Sequence, residues 1–214
     1  MNPGVVYNAG SETIAKEYIS ARGDATCTEL INRGTYAEAM TAVEIALTGD
    51  TTSVMTAKND TLIYTRAGTA TLEIKDSDGL HSQEMRAGSA ALIKSGGSFT
   101  WLMGQDLRAL EVSVPDISGP FARKQSSPTQ SYSRFVEQGL ADKSGATSNR
   151  EFEVLFDASK GSAHATMFVG FIPPSGAPAH YHLYDEICHI VKGGGELHVG
   201  ERIQELAPGS TFIV

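Results

Sequence analysis

The chain has 214 residues, 41% of them apolar, which is enough for one large domain or two small cores. Its formal charge of −8 argues against nucleic acid, whose binding is dominated by Lys and Arg contacts to phosphate. No apolar run approaches the roughly 18 residues of a membrane-spanning helix, and residues 1–10 lack the basic and apolar blocks of a signal peptide. Two cysteines far apart, Cys27 and Cys188, make no disulfide framework, so a reducing cytoplasm is the expected location. Twenty-two glycines and eight prolines between short β-branched runs predict an all-β chain with many turns.

Residues 1–39 read as an N-terminal arm. Residues 11–22 predict a short helix with Ser11 as N-cap, Gly23 past its end, and a narrow apolar stripe of Ile14 and Tyr18. The same stretch also reads as an irregular arm packed on a barrel. Cys27 reads as a small core or edge residue, since nothing cationic close by in sequence would lower its pKa.

Residues 40–115 read as a first barrel. Segments 40–47, 61–66 and 69–74 alternate with period two. Residues 76–79, Asp-Ser-Asp-Gly, are a hairpin turn, and 88–93, 98–102 and 107–114 complete the strands. Residues 116–150 read as a linker, with one short helix within 131–143 and a loop at 144–149. Arg123, Lys124 and Arg134 are taken as a solvated surface. Residues 151–214 hold strands at 151–156 and 163–172 and a tight hairpin turn at Gly200-Glu201.

The chain repeats itself. When Gly68 is set on Gly193, an offset of 125 residues, segments 62–74 and 187–199 overlie each other. After a hairpin four residues shorter in the second copy, 86–93 overlies 207–214.

The chemistry gathers in residues 176–193. On a strand, residues i and i+2 share a face, so His180 and His182 aim two imidazoles at one point. Residues 183–185 turn the chain, and Glu186 opens the next strand on the same side. Two neutral imidazoles and a carboxylate suit a divalent transition metal. Cys188, two after Glu186, shares its face and reads as a core filler or a pocket-lining residue. Tyr184 reads as a residue at the mouth whose hydroxyl reaches substrate. His189 points the other way, and His164 and His198 are ordinary strand residues. Asp185 reads as a turn residue or as an acceptor behind a ligating His.

His180, His182, Glu186 and Gly193 match the first cupin motif, His-x-His-x3-Glu-x6-Gly; its leading glycine is replaced by Pro174, with Gly176 nearby. The chain therefore resembles the cupin superfamily, and the resemblance implies two cupin (double-stranded β-helix, jelly-roll) barrels in tandem. Under the offset, Met55, Ala57 and Thr61 stand where His180, His182 and Glu186 stand, and Phe99 takes the place of the family's fourth ligand. The first barrel is thus expected to be structural or dimerising, with an apolar pocket as a further option.

The second copy stops five residues after Gly209. The 214 residues are therefore expected to be the front part of a chain of roughly 240 to 260 residues, with a fourth His ligand past Val214. The alternative is a three-ligand site whose wall the N-terminal arm completes. The resemblance implies one divalent metal (Fe, Mn, Ni or Zn, with iron favoured) and a small-molecule, oxygen-bearing substrate. It also implies a homodimer. Dioxygenase-type chemistry is the leading expectation, beside isomerase, decarboxylase or lyase chemistry and a non-catalytic binding or sensor protein.

Overall fold

The computed structural model describes residues 6–7, 19–32, 40–115, 132–146, 149–174, 176–179 and 182–214. Strands β1 (Ile19–Arg22), β2 (Ala25–Ile31) and β3 (Thr41–Leu47) form an antiparallel meander. Next come β4 (Met55–Thr56), β5 (Asp60–Asp76), β6 (Gly79–Arg86), β7 (Ser89–Ile93) and β8 (Ser98–Val114). With β9 (Phe135–Glu137) they make one nine-stranded sheet in the order β1-β2-β3-β8-β5-β7-β9, with β4 on β8 and β6 on β5. In the second half, β10 (Ser144–Ala146), β11 (Arg150–Phe156) and β12 (Met167–Phe171) form a sheet. Two pairs complete it: β13 (Ile187–His189) with β16 (Thr211–Ile213), and β14 (Gly195–Val199) with β15 (Arg202–Leu206). The expected all-β fold is present. No helix among the described residues is long and apolar enough to cross a membrane.

Period-two alternation sends alternate residues of the nine-stranded sheet into two cores. The inner face gathers Cys27, Ile45, Leu47, Ile63, Leu72, Ile74, Phe99 and Trp101, all nearly or fully buried. The outer face gathers Leu30, Leu62, Leu92 and Val112 with Leu155, Phe156 and Ile213 of the second half. The two halves are therefore joined by a continuous apolar layer, and burial of this area drives their association.

The repeat holds at the level of backbone register. Thr26↔Ala46, Cys27↔Ile45, Thr28↔Glu44 and Glu29↔Val43 recur 125 residues on as Glu151↔Phe171, Phe152↔Gly170, Glu153↔Val169 and Val154↔Phe168. Even the bulge recurs, between Glu29 and Ile31 and between Val154 and Phe156. Leu62↔Leu92 and Ile63↔Ala91 recur as Ile187↔Ile213 and Cys188↔Phe212. Ala70↔Met85 recurs as Gly195↔Leu206. Because a one-residue slip would turn every side chain to the other face, the shared register carries the same inside-outside assignment into both halves.

Each half also receives a short segment that precedes the other. Val136 pairs with Ala90 on β7, and Tyr7 pairs with Thr211 on β16. The Tyr7 contact is two backbone hydrogen bonds of 2.8 Å.

Besides residues 144–146, expected as part of a loop and found as β10, three expectations are corrected. Residues 19–22, expected to end a helix, form β1, because Gly23 at φ +63° turns the chain back onto β2; residues 11–18 lie outside the described residues. In place of a helix within 131–143, residues 135–137 form β9 on the free edge of β7, where pairing satisfies backbone groups that a helix would leave open. This segment is pinned by Asp76, which accepts from Tyr132 Oη (2.5 Å) and Arg134 Nε (2.7 Å), while Arg134 also reaches Asp78 (2.6 Å). The Arg134 hydrogen bond, against some desolvation, holds the Asp76 carboxyl well below the usual range. Arg134 is thus a structural latch and not loose surface charge. Third, 61–66 with 69–74, and 98–102 with 107–114, are single 17-residue strands, β5 and β8.

Candidate metal and substrate site

The candidate site lies where residues 176–193 meet the last strand. Gly176, at φ +77°, supplies a left-handed turn ahead of the motif. His180 and Tyr181 lie outside the described residues. His182 and Glu186 come together, with His182 Nδ1 at 2.8 Å from Glu186 Oε2 and side chains only 15% and 19% exposed. Glu186 is fixed by its backbone: its N–H donates to Val214 O at 3.3 Å and Val214 N–H returns to Glu186 O at 2.9 Å, which prolongs the β13–β16 ladder.

These two groups fit a metal in chemistry and in spacing. Donors bound at about 2.1 Å on adjacent octahedral positions stand about 3 Å apart, close to what the two atoms show. Among the described residues no three His, Cys, Asp or Glu side chains gather as a metal group. The first unit offers no rival. Met55 and Phe99 sit opposite each other on β4 and β8, and Ala57 and Phe99 are buried in the inner core.

Cys188 shares the inward face with Glu186 and stands opposite Phe212. Burial, helped by the neighbouring Glu186 charge, pushes its thiol up to about 12, so it stays a neutral wall residue at ordinary pH. Tyr184 is 67% exposed, and its ring meets His182 edge-on at 4.9 Å. Cys27 is fully buried, and although the fold brings Arg22 close, burial wins and its thiol rises to about 11.

His189 faces the layer between the halves. The Thr211 hydroxyl donates to Gly209 O at 3.2 Å, so His189 Nδ1–H is assigned as the donor in its 2.8 Å bond to Thr211. Burial first, then the positive charge of Arg66, lowers its pKa to about 4. An ordinary His titrates near 6.5. Above that pH both folded and unfolded chains carry it neutral. Between about 6.5 and 4 the unfolded chain takes up a proton that the fold refuses, so stability falls as pH drops. The expected loss is at most about 3 kcal/mol, complete by pH 4. Urea unfolding at pH 7 and pH 4.5 checks this, and in His189→Gln the His189 part of the slope should vanish.

His164 lines a cavity of about 220 Å³ with Lys58, Asn59, Asp60, Lys94, Ser95 and Val114, apart from the His182–Glu186 pair. His198 lies exposed on β14 with Nε2 at 2.8 Å from Glu196.

The inward wall of β11 and β12 is marked by no motif in the sequence. Phe152 and Phe168 meet there edge-to-face, with centroids 5.9 Å apart, and Gly170 stands opposite Phe152. The signal was available: the offset of 125, extended back to residues 25–47, places these positions on the inward face.

No protein-family model and no curated protein matches the chain. Solved structures do. A formate complex of Lactobacillus farciminis oxalate decarboxylase matches at 13% identity and TM-score 0.72, covering 100% of this chain and 80% of that one. A deletion mutant of Bacillus subtilis oxalate decarboxylase matches at 10% identity and TM-score 0.66, covering 100% and 72%. A cupin 2 conserved barrel domain protein from Leptotrichia buccalis matches at 11% identity and TM-score 0.55, covering 100% and 86%. At such identities the likeness establishes the fold alone: an all-β chain with the cupin-barrel fold of these structures.

Proposed function

We propose that the second unit holds one divalent transition metal through His180, His182 and Glu186, and that the protein is a metal-dependent enzyme for a small oxygen-bearing organic substrate. The observation that carries this reading is the His182–Glu186 pair, two metal-binding donors 2.8 Å apart and mostly out of water on the inward side. In the matching first unit the same positions hold Ala57 and Thr61, so the two halves divide the work: one is a filled, degenerate barrel and the other carries ligands. The backbone lock between Glu186 and Val214 fixes the carboxylate's strand. Cys188 walls the pocket as a neutral thiol, and Tyr184 stands exposed beside His182.

A bound metal would supply Lewis-acid polarisation of a substrate oxygen. The two-His-one-carboxylate set suits iron(II) and favours dioxygen chemistry. Decarboxylation stands beside it, because two solved structures of like fold are oxalate decarboxylases.

Metal analysis of the purified chain tests the reading. Close to one equivalent of iron, manganese, nickel or zinc is expected in the wild type. Less than a tenth of that is expected in His182→Ala and Glu186→Ala with folding retained by circular dichroism. A metal-free wild type after reconstitution would sink the proposal.

A further inference from the structure

The two units receive their incoming segments on equivalent seats. Ala90 pairs with Val136 and Thr211 pairs with Tyr7, and the repeat makes Ala90 and Thr211 counterparts. A glutamine at matching places clips each segment. Gln83 on β6 donates through Nε2 to Glu137 at 2.9 Å, and its counterpart Gln204 on β15 accepts from Val6 N at 3.1 Å. Val6 and Tyr7 are buried, and Tyr7 belongs to the apolar layer with Leu62, Leu155 and Ile213.

What the seats touch differs. In the first unit Tyr64 stands across the ladder from Ala90, which has no side-chain hydrogen bond to give it. In the second unit the facing pair is Thr211 and His189. Thr211 is fully buried; its hydroxyl takes the His189 Nδ1 bond at 2.8 Å while its backbone makes both bonds to Tyr7. Thr211 therefore ties Tyr7 to β13. From His189 the ladder runs back through Cys188↔Phe212 and Ile187↔Ile213 to the bonds between Glu186 and Val214. That is about 10 Å of extended chain, so a tilt at one end is passed to the other. Metal–ligand distances tolerate only about 0.2 Å. A strand correctly placed for part of the time lowers the apparent metal affinity by that fraction.

We propose that Tyr7 is a positioning residue for the metal site: its seat on Thr211 sets β13 and, through it, the Glu186 carboxylate, so that the segment ahead of the first unit governs metal affinity in the second. The inference rests on the metal reading above.

The test titrates the full-length chain with cobalt(II), whose visible bands report the geometry of its ligands. Wild type is titrated first, and a wild type that binds no cobalt overturns the metal reading and this inference with it. Tyr7→Ala is expected to bind cobalt at least about tenfold more weakly, with a shifted visible spectrum, while Tyr7→Phe, which keeps the ring and the backbone, stays within about twofold of wild type. Val136→Ala trims the matching seat on the first unit; it is expected to lose stability in urea yet keep the wild-type cobalt affinity and spectrum. Fluorescence of Trp101, the chain's single tryptophan and a core residue of the first unit, verifies that this unit is folded at the titration temperature. Gln204→Met removes only the clip on Val6, and a loss of about threefold is expected from it even where Tyr7→Ala does not fold. Unchanged affinity and spectrum in Tyr7→Ala and Gln204→Met, equal weakening in Val136→Ala and Tyr7→Ala, or a Tyr7→Phe as weak as Tyr7→Ala overturns the positioning role while leaving the metal site standing.

Discussion

Replacing Gly68 with alanine is expected to cost the fold about 4 kcal/mol or more, while the same change at Gly193 costs about 1 kcal/mol. The two glycines occupy equivalent places in the two halves. Both are left-handed, Gly68 at φ +69° and Gly193 at φ +81°, so both variants carry the strain of an L-residue at positive φ. The difference lies in what surrounds them. A Cβ at Gly68 would fall 2.2 Å from Asp106 O, 2.4 Å from Asp106 C and 2.5 Å from Gln105 O, all backbone atoms of β8. At Gly193 nothing lies within 4 Å. β8 cannot easily retreat, because it is already bent there: Met103 and Asp106 have φ of 53° and 51°, and the β5–β8 register shifts three times between Thr65 and Thr71. The cost at Gly68 therefore includes prising apart the two longest strands of the first unit. Urea unfolding of both variants against wild type reads the difference. Equal losses would mean that backbone strain alone governs both positions and that the close approach of β8 is unimportant.

Trp101→Ala is the second large effect, with an expected loss of about 4 kcal/mol and a fall in Tm on the order of 10 °C. Trp101 is 1% exposed and is among the largest fully buried side chains in the inner core. Its removal leaves a cavity that strands held on both sides cannot close. Its indole Nε1–H also points to Glu111 Oε1 at 3.4 Å, and Glu111 is buried inside the same unit, held otherwise by Arg22 at 2.6 Å. Taking away one of two partners from a buried carboxylate adds to the loss. The prediction separates the roles of the halves. If the first barrel is a scaffold, Trp101→Ala should unfold earlier yet bind the same equivalent of metal below its transition. A fall in metal stoichiometry at a temperature where the variant is folded would show that the first barrel shapes the ligand site directly.

What was legible in the sequence follows from local rules. Period-two alternation and glycine-marked turns located most strands, because a half-buried strand must alternate and its turns require residues tolerant of positive φ. Glycine pairs such as Gly68 with Gly193 and Gly88 with Gly209 showed the repeat. The structure returns them as matched left-handed positions, at φ +69° and +81° and at φ +96° and +94°. The candidate donors were legible too, since His182 and Glu186 are chemically marked wherever they fall, and strand geometry alone put Glu186 and Cys188 on one face.

The tertiary structure decided whatever depends on partners distant in sequence. Residues 19–22 and 135–137 became strands because free sheet edges at β2 and β7 offered them hydrogen bonds that no local propensity reveals. β5 and β8 run unbroken through residues 67–68 and 103–106, which the alternating segments leave out, because each supports the other along its length. The lowered pKa of His189 needed Arg66, 123 positions earlier, and the dry layer between the halves. Phe152, Phe168 and Gly170 became one wall only when β11 and β12 paired in the register that β2 and β3 share. Sequence determines which residues can alternate, turn or bind; packing across the repeat determines which of them meet, because burial and charge act through space and not along the chain.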